Sequence, residues 1–247
     1  MSAGAGHDPV GDRPLAPAAL SGRGQFWALL RKDVVSELRT KEMLISMFLF
    51  SMLAMVVFHY AFTATGDVDL SPFTGGMLWA VFVFASLLGL NRSFVHEKDE
   101  GCLDGLLLCP VDRVTIFFAK MTGNLIFLGL IQLLAVPVFT IFFVTGGYWA
   151  DLGAFVAVLV LADIGICVLG TLLATIAMST RARDLLLPIV FLPLIVPLLI
   201  AATAATTEVF SGDVTWASLW GKLAFLAGYD AVFLVAAWGT YDFAIGE

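Results

Sequence analysis

The chain has 247 residues, 60% of them hydrophobic and 13% charged, with 21 Phe and a mean hydropathy of +0.96. A water-soluble core cannot hide that much apolar surface, so lipid must cover part of it, and six spans of about 20 residues would leave no room for a separate globular domain. The net charge of −7 does not point to a basic partner, because the charges are sorted along the chain by side.

Residues 1–24 are rich in Gly, Ala and Pro, lack periodicity and read as a disordered tail. They do not read as a signal peptide, because no apolar core follows the first basic residues. In residues 25–41, Phe26, Leu30, Val34 and Leu38 recur every four residues among Arg31, Lys32, Arg39 and Lys41. That spacing predicts an amphipathic helix in the membrane interface, with Glu37 falling awkwardly close to the apolar stripe.

Six apolar stretches follow, at about 43–62, 75–94, 116–144, 152–178, 185–205 and 221–244. The fifth contains Pro188, Pro193 and Pro197, which predicts a broken or bent helix whose freed carbonyls are met by neighbours or water. Between the fifth and sixth, Thr206–Trp220 carries Trp216 and Trp220 and suits an interfacial or re-entrant piece. The expected architecture is an all-α membrane protein of six transmembrane helices plus an N-terminal interfacial helix.

Orientation is read from Lys and Arg. Arg13, Arg23, Arg31, Lys32, Arg39 and Lys41 precede the first span. Arg92, Lys98, Arg113 and Lys120 surround the second connection, and Arg181 and Arg183 follow the fourth span. The opposite side holds Asp67, Asp69, Asp151, Glu208 and Asp213, with Lys222 as its one base. This alternation predicts a multi-pass protein of the bacterial cytoplasmic (inner) membrane with both termini cytoplasmic.

The cysteines, Cys102, Cys109 and Cys167, form no CxxC or CxxCH and read as structural. The histidines are His7, His96 and His59, and His59 alone falls in a span. A paired-histidine haem is therefore not available within one chain, which leaves His59 as a transient haem contact at most. Asp163 lies near the middle of the fourth span and Asp230 within the sixth. An ionised carboxylate at that depth costs on the order of 3 kcal/mol, so each must turn inward and be paired, protonated or functional. Asn124 and Gln132 read as interhelical glue.

The most informative segment is His96–Arg113, HEKDEGCLDGLLLCPVDR. Charged Glu97, Lys98, Asp99 and Glu100 open it, Gly101 follows, and Leu103, Leu106, Leu107 and Leu108 form an apolar run ended by Pro110. An apolar patch on a polar connection needs a cover. The cover is either this chain's own membrane domain or a docked cytosolic partner.

An acidic pair, a Gly and an LLxxP turn leading into the next span resemble the coupling loop of ABC exporter permeases. Four stretches together resemble one family, the cytochrome c maturation permease called heme exporter protein B (CcmB). They are FWALLRKDVVSELRTKEML; EKDEGCLDGLLLCPVDR running into FFAKMTGNLIF; GTLLATIAMSTRARDLLLPIVFLPLIVPLLIAA; and GYDAVFLV. The likeness covers about residues 26–240, and the TRARDLLLP segment with its spaced prolines is its most specific part. Cys102 and Cys109 stand where the family commonly has Thr or Ser, the tail before Gln25 is longer, and Asp163 is unusual in the fourth span.

The resemblance implies a permease subunit with no catalytic residues and no metal. The chain has no G-x-x-x-x-G-K-[ST], so ATP is expected on a separate cytosolic ATPase subunit of CcmA type, with the permease as a homodimer. It also implies CcmC-type and CcmD-type membrane partners, with a CcmE-type periplasmic haem chaperone met indirectly. Nucleic acid is not an expected partner. Haem is the implied transported species, or ATP drives its release from a carrier, and no cofactor is expected to stay bound. The competing readings are an exporter permease for lipid, glycan or drug, an integral membrane redox or haem-binding protein, and a stand-alone secondary transporter.

Overall fold

A computed structural model describes residues 22–64, 69–99, 113–144, 148–178, 183–212 and 214–244. Helix is the only regular structure among them. Helix α1 spans Gly22–Thr40, α2 Glu42–Thr63, α3 Thr74–Asp99, α4 Arg113–Phe143, α5 Leu152–Met178, α6 Arg183–Ser211 and α7 Trp216–Ala244. Short 3-10 turns at Ser71–Phe73 and Tyr148–Asp151 lead into α3 and α5.

The six helices α2 to α7 are each long and apolar enough to cross a membrane. Six crossings return the chain to the side where it started, and the basic residues of the connections fall on that side. It is called the basic side below, and the side of Asp69, Asp151 and Glu208 the acidic side.

Helices α3 and α5 form the centre. Helix α3 packs against α2, α4, α5 and α6, and α5 packs against α3, α4, α6 and α7. The largest enclosed side chains belong to these helices and their neighbours: Trp79 and Phe82 on α3, Phe155 and Ile166 on α5, Phe139 on α4, Phe191 on α6. Toward the acidic side, Phe210 stacks on Phe139 at 6.4 Å and meets Phe155 at 5.1 Å, joining α4, α5 and α6. The peripheral helices leave Leu53, Ile141, Ile200 and Val235 exposed, as a hydrocarbon surround permits.

The structure gives detail to three expectations. The Phe26–Leu30–Val34 stripe of α1 faces protein, because α1 packs along α4 with Leu30 buried. Trp27, Val35 and Leu38 are the large apolar residues that α1 leaves exposed. The misplaced Glu37 is a cap: its Oε1 accepts the backbone N–H groups of Met43 at 2.8 Å and Leu44 at 3.1 Å. Those are orphan donors in the first turn of α2, and a carboxylate there also meets the positive end of the helix dipole. Lys41 turns the chain between the two helices with φ 58°, the one non-glycine residue in the left-handed region among the described residues.

Of the two forms expected for the fifth span, broken or bent, the broken one does not occur. Helix α6 runs continuously through Pro188, Pro193 and Pro197. The segment Thr206–Trp220 is not re-entrant either, because α6 continues to Ser211, the chain turns at Gly212 with φ 75°, and α7 begins at Trp216. A helix in hydrocarbon has no water with which to replace its own hydrogen bonds, so it keeps every bond that proline does not remove. Near the site of loss a neighbour helps: the Tyr229 hydroxyl donates to the carbonyl of Leu194 at 2.9 Å, one residue beyond the carbonyl that Pro197 leaves without its helical donor.

Helices α3 and α6 are in close contact at Gly75, where a Cβ would sit on Thr207 Oγ1 and 2.6 Å from the carbonyl oxygen of Thr203. A backbone carbonyl has no rotamer by which to escape, so a side chain there must separate the helices. Gly75→Ala should lower the thermal stability of the purified chain in detergent by about 1–3 kcal/mol, the usual range for overpacking. Gly239→Ala, where open space surrounds the added carbon, should stay within about 1 kcal/mol of the parent or rise slightly. Equal melting shifts for the two variants would show that α3 and α6 are not in this contact.

Candidate functional site

Polar side chains of the spans are paired by depth. Helices α4 and α5 are antiparallel neighbours joined on the acidic side, where α4 ends at Phe143 and α5 begins at Leu152. Gln132 and Asp163 each lie 11 residues from those ends, about 16 Å in at 1.5 Å per residue, close to mid-bilayer. They meet: Gln132 Nε2 donates to Asp163 Oδ1 at 2.7 Å, with both side chains buried. Two further bonds follow the same rule. Asn124 Nδ2 donates to Thr171 Oγ1 at 3.2 Å between α4 and α5, and Trp79 Nε1 to Thr206 Oγ1 at 2.9 Å between α3 and α6.

Asp230 breaks the rule. It is 4% exposed, and neither carboxyl oxygen has a hydrogen-bond partner. Its carboxyl lies against the backbone of α5 at Gly165, where a Cβ would stand 2.5 Å from Oδ1 and closer still to Leu198. Glycine at 165 is therefore what lets α7 and α6 close on α5 with the acid between them. The neighbouring Tyr229 is engaged with Leu194, as described above, and offers its hydroxyl proton elsewhere.

Charged pairs mark both ends of the bundle. On the basic side, Lys120 Nζ contacts Asp33 Oδ2 at 2.8 Å with both side chains largely buried, tying α1 to the foot of α4. Lys32 reaches the other oxygen of Asp33 at 3.2 Å. Arg92 near the basic end of α3 pairs with Glu42 at the start of α2. On the acidic side, Glu208 accepts from Lys222, from Ser218 Oγ at 3.1 Å and from Thr215 N at 3.1 Å. That pairing accounts for the one base on the acidic side, because its charge is neutralised where it stands. Asp69 is held below the usual carboxylate range by its hydrogen bonds with Ser71, chiefly through the side chain.

The loop residues Glu100, Gly101, Leu103, Leu106, Leu107, Leu108 and Pro110 lie outside the described residues, as do Cys102, Cys109 and Arg181. Glu97 falls in the last turn of α3, so the polar opening of the loop continues the helix, and Arg183 is the first residue of α6. His59 stacks on Phe142 at 5.0 Å and meets Phe143 edge-on at 6.0 Å, an aromatic packing position. Cys167 is buried, and no group of three or more His, Cys, Asp or Glu suited to a metal occurs among the described residues. The Asp33–Lys120 pair, the Glu37 cap and the Glu208–Lys222 pair were not legible as contacts. For Gln132 and Asp163 the sequence offers equal depth, through equal offsets from the α4–α5 turn, but not the contact.

A long match to known proteins places this arrangement. The family model described as CcmB protein matches residues 24–246. The chain belongs to the CcmB family. Among curated relatives, heme exporter protein B of Rhodobacter capsulatus is 31% identical over 134 residues, 53% of this chain and 59% of the relative. The protein of that name from Bradyrhizobium diazoefficiens is 26% identical over 189 residues, 76% of this chain and 84% of the relative. That from Paracoccus denitrificans is 31% identical over 144 residues, 58% and 65% respectively. The alignments to the first and third thus span less than two thirds of the relative's length.

The unpartnered acid in this CcmB-family chain is a stability cost, since a buried polar group without a partner is worth about 1–3 kcal/mol against the fold. Asp230→Leu should therefore melt at the same temperature as the parent or higher, by up to about 1 kcal/mol, in the purified chain in detergent. Gln132→Leu should do the opposite to stability, costing about 1 kcal/mol by leaving Asp163 without its amide. A drop in melting temperature for Asp230→Leu would reveal a partner for the carboxyl.

Proposed function

We propose that this chain is the membrane permease subunit of an ABC transporter complex for cytochrome c biogenesis, driven by ATP hydrolysed on a separate cytosolic chain. The observation that carries the reading is the family match over residues 24–246, with relatives named heme exporter protein B. The position of residues 100–112 in the chain supports it. The loop joins α3, at the centre of the bundle, to α4, whose foot is braced to α1 by Lys120 and Asp33. A push on the loop reaches the core through α3 and the surface helix through α4. ATP binding then biases one of two packings of the bundle through the docked subunit. In this orientation the basic side is cytoplasmic, with both termini there and Arg181 and Arg183 at the inner surface. The complex is a homodimer of permeases over two ATPase subunits.

Of the two roles for ATP, the release of haem from a carrier is favoured over passage through a cavity of one chain. The large cavities toward the acidic side carry Asp163 in one case and Glu208 in the other. Among the described residues, neither cavity is lined by an unpaired cation that would hold haem propionates, since Lys222 is already engaged by Glu208.

Docking is tested at the apolar run of the loop. Leu103→Asp and Leu107→Asp each put a carboxylate into an apolar contact, which should cost about 2–5 kcal/mol of association. Membrane insertion of both variants should be unchanged, co-purification of the ATPase should fall, and cytochrome c maturation should fall with it. Undiminished co-purification in both variants would refute docking through this loop.

A further inference from the structure

Helix α1 has two neighbouring faces with apolar residues, and the protein covers one of them. Phe26, Leu30, Asp33 and Glu37 follow one another at helical spacing on the covered face. Leu30 is buried against α4, 3.8 Å from where a Cβ on Gly123 would stand. Trp27, Arg31, Val35 and Leu38 form the next face, one residue further round, with Lys32 and Arg39 along its edge. All six of these residues are exposed, Trp27 at 66% and Val35 at 54%.

Folding sorts the charge of this helix. Its acids, Asp33 and Glu37, turn inward, one to Lys120 and the other to the first turn of α2. The outer face keeps bases and apolar residues alone. Lys32 shares Asp33 with Lys120, whereas the side chains of Arg31 and Arg39 have no partner among the described residues.

The depth of α1 follows from α4. Gln132 lies close to mid-bilayer, and α4 runs from it toward the basic side through Gly123 and Lys120. Those residues stand about 14 and 18 Å from the middle at 1.5 Å per residue, where the hydrocarbon ends at about 15 Å. Helix α1 touches α4 at both points, through Leu30 and Asp33, so it lies at the boundary between acyl chains and headgroups.

We infer that the outer face of α1 binds anionic phospholipid headgroups of the leaflet on the basic side, through Arg31 and Arg39, with Trp27, Val35 and Leu38 seated on the acyl boundary. Charge selects the occupant. A zwitterionic headgroup brings its own cation, and this face has no acid to receive it. Val35 and Leu38 lie between the two arginines, so cationic and apolar contacts alternate on one surface. A phospholipid offers a phosphate and an acyl chain at that spacing. An acidic protein surface approaching from water would match the arginines and leave Trp27, Val35 and Leu38 without an apolar counterpart.

The test uses the full chain in nanodiscs of equal parts phosphatidylglycerol and phosphatidylcholine. A benzophenone side chain replaces Val35, between the arginines, or the exposed Trp238 toward the basic end of α7 as a control. Lipid adducts are counted by mass spectrometry. At Val35 phosphatidylglycerol should exceed phosphatidylcholine about fivefold, the worth of one Lys or Arg near an anionic surface, and at Trp238 the two should agree within about twofold. Salt at about 1 M should bring the excess toward parity. Arg31→Gln combined with Arg39→Gln should abolish it, while Arg31→Lys with Arg39→Lys keeps it within about twofold of the parent. Should the glutamine variant fail to accumulate, the salt titration of the parent decides. Parity at Val35, an equal excess at Trp238, an excess that survives salt or the loss of both arginines, or an adduct from Val35 to another protein in native membranes would each overturn the inference. Neither cargo nor ATP enters these readouts, so a wrong cargo and a wrong lipid face fail separately.

Discussion

Hydrocarbon offers no hydrogen bonds, and most of this structure follows from where its polar groups go instead. Depth is the variable that decides pairing. Antiparallel helices joined by a short turn bring together residues at equal distances from that turn, which is how Gln132 finds Asp163. The same constraint holds α6 together. Three prolines remove three donors, and the helix still runs to Ser211, because leaving the helical path would expose many more backbone groups than proline has already freed.

Against that background the unpartnered Asp230 stands out. Thr207 Oγ1 is the other buried side-chain atom without a partner among the described residues, but Asp230 leaves both oxygens of an acid unpaired, resting between α5, α6 and α7 on the backbone of Gly165. Its surroundings are built to admit it, since a side chain at 165 would collide with it and with Leu198. An acid without a partner at that depth costs stability in this packing. Its location at the junction of three helices puts it where a shift of α7 against α5 would be felt.

The basic side is braced differently from the acidic side. Glu37 caps α2 and Asp33 grips Lys120, so α1 is fastened to two helices at once. On the acidic side Glu208 gathers Lys222, Ser218 and Thr215 N and locks the α6–α7 turn. In the proposed cycle, the force of the ATPase enters at the loop between α3 and α4, on the side where α1 couples neighbouring elements.

The sequence by itself determined the class, the number of spans and the sorting of charge. Each of those rests on composition summed over about 20 residues, and a single contact cannot reverse such a sum. It also placed Asp163, Gln132 and Asp230 in the membrane, because hydropathy reports depth. Tertiary structure decided what each polar residue does there. Hydropathy carries no information on which face of a helix meets which neighbour, so it could not say that Asp163 has an amide and Asp230 has nothing. It could not say that the apolar stripe of α1 would be spent on α4, or that Glu37, out of place in that stripe, would serve the next helix as its cap. Those outcomes depend on helix rotation and approach, which are set by glycine contacts such as Gly75 on the backbone of Thr203 and exist only once the bundle has closed.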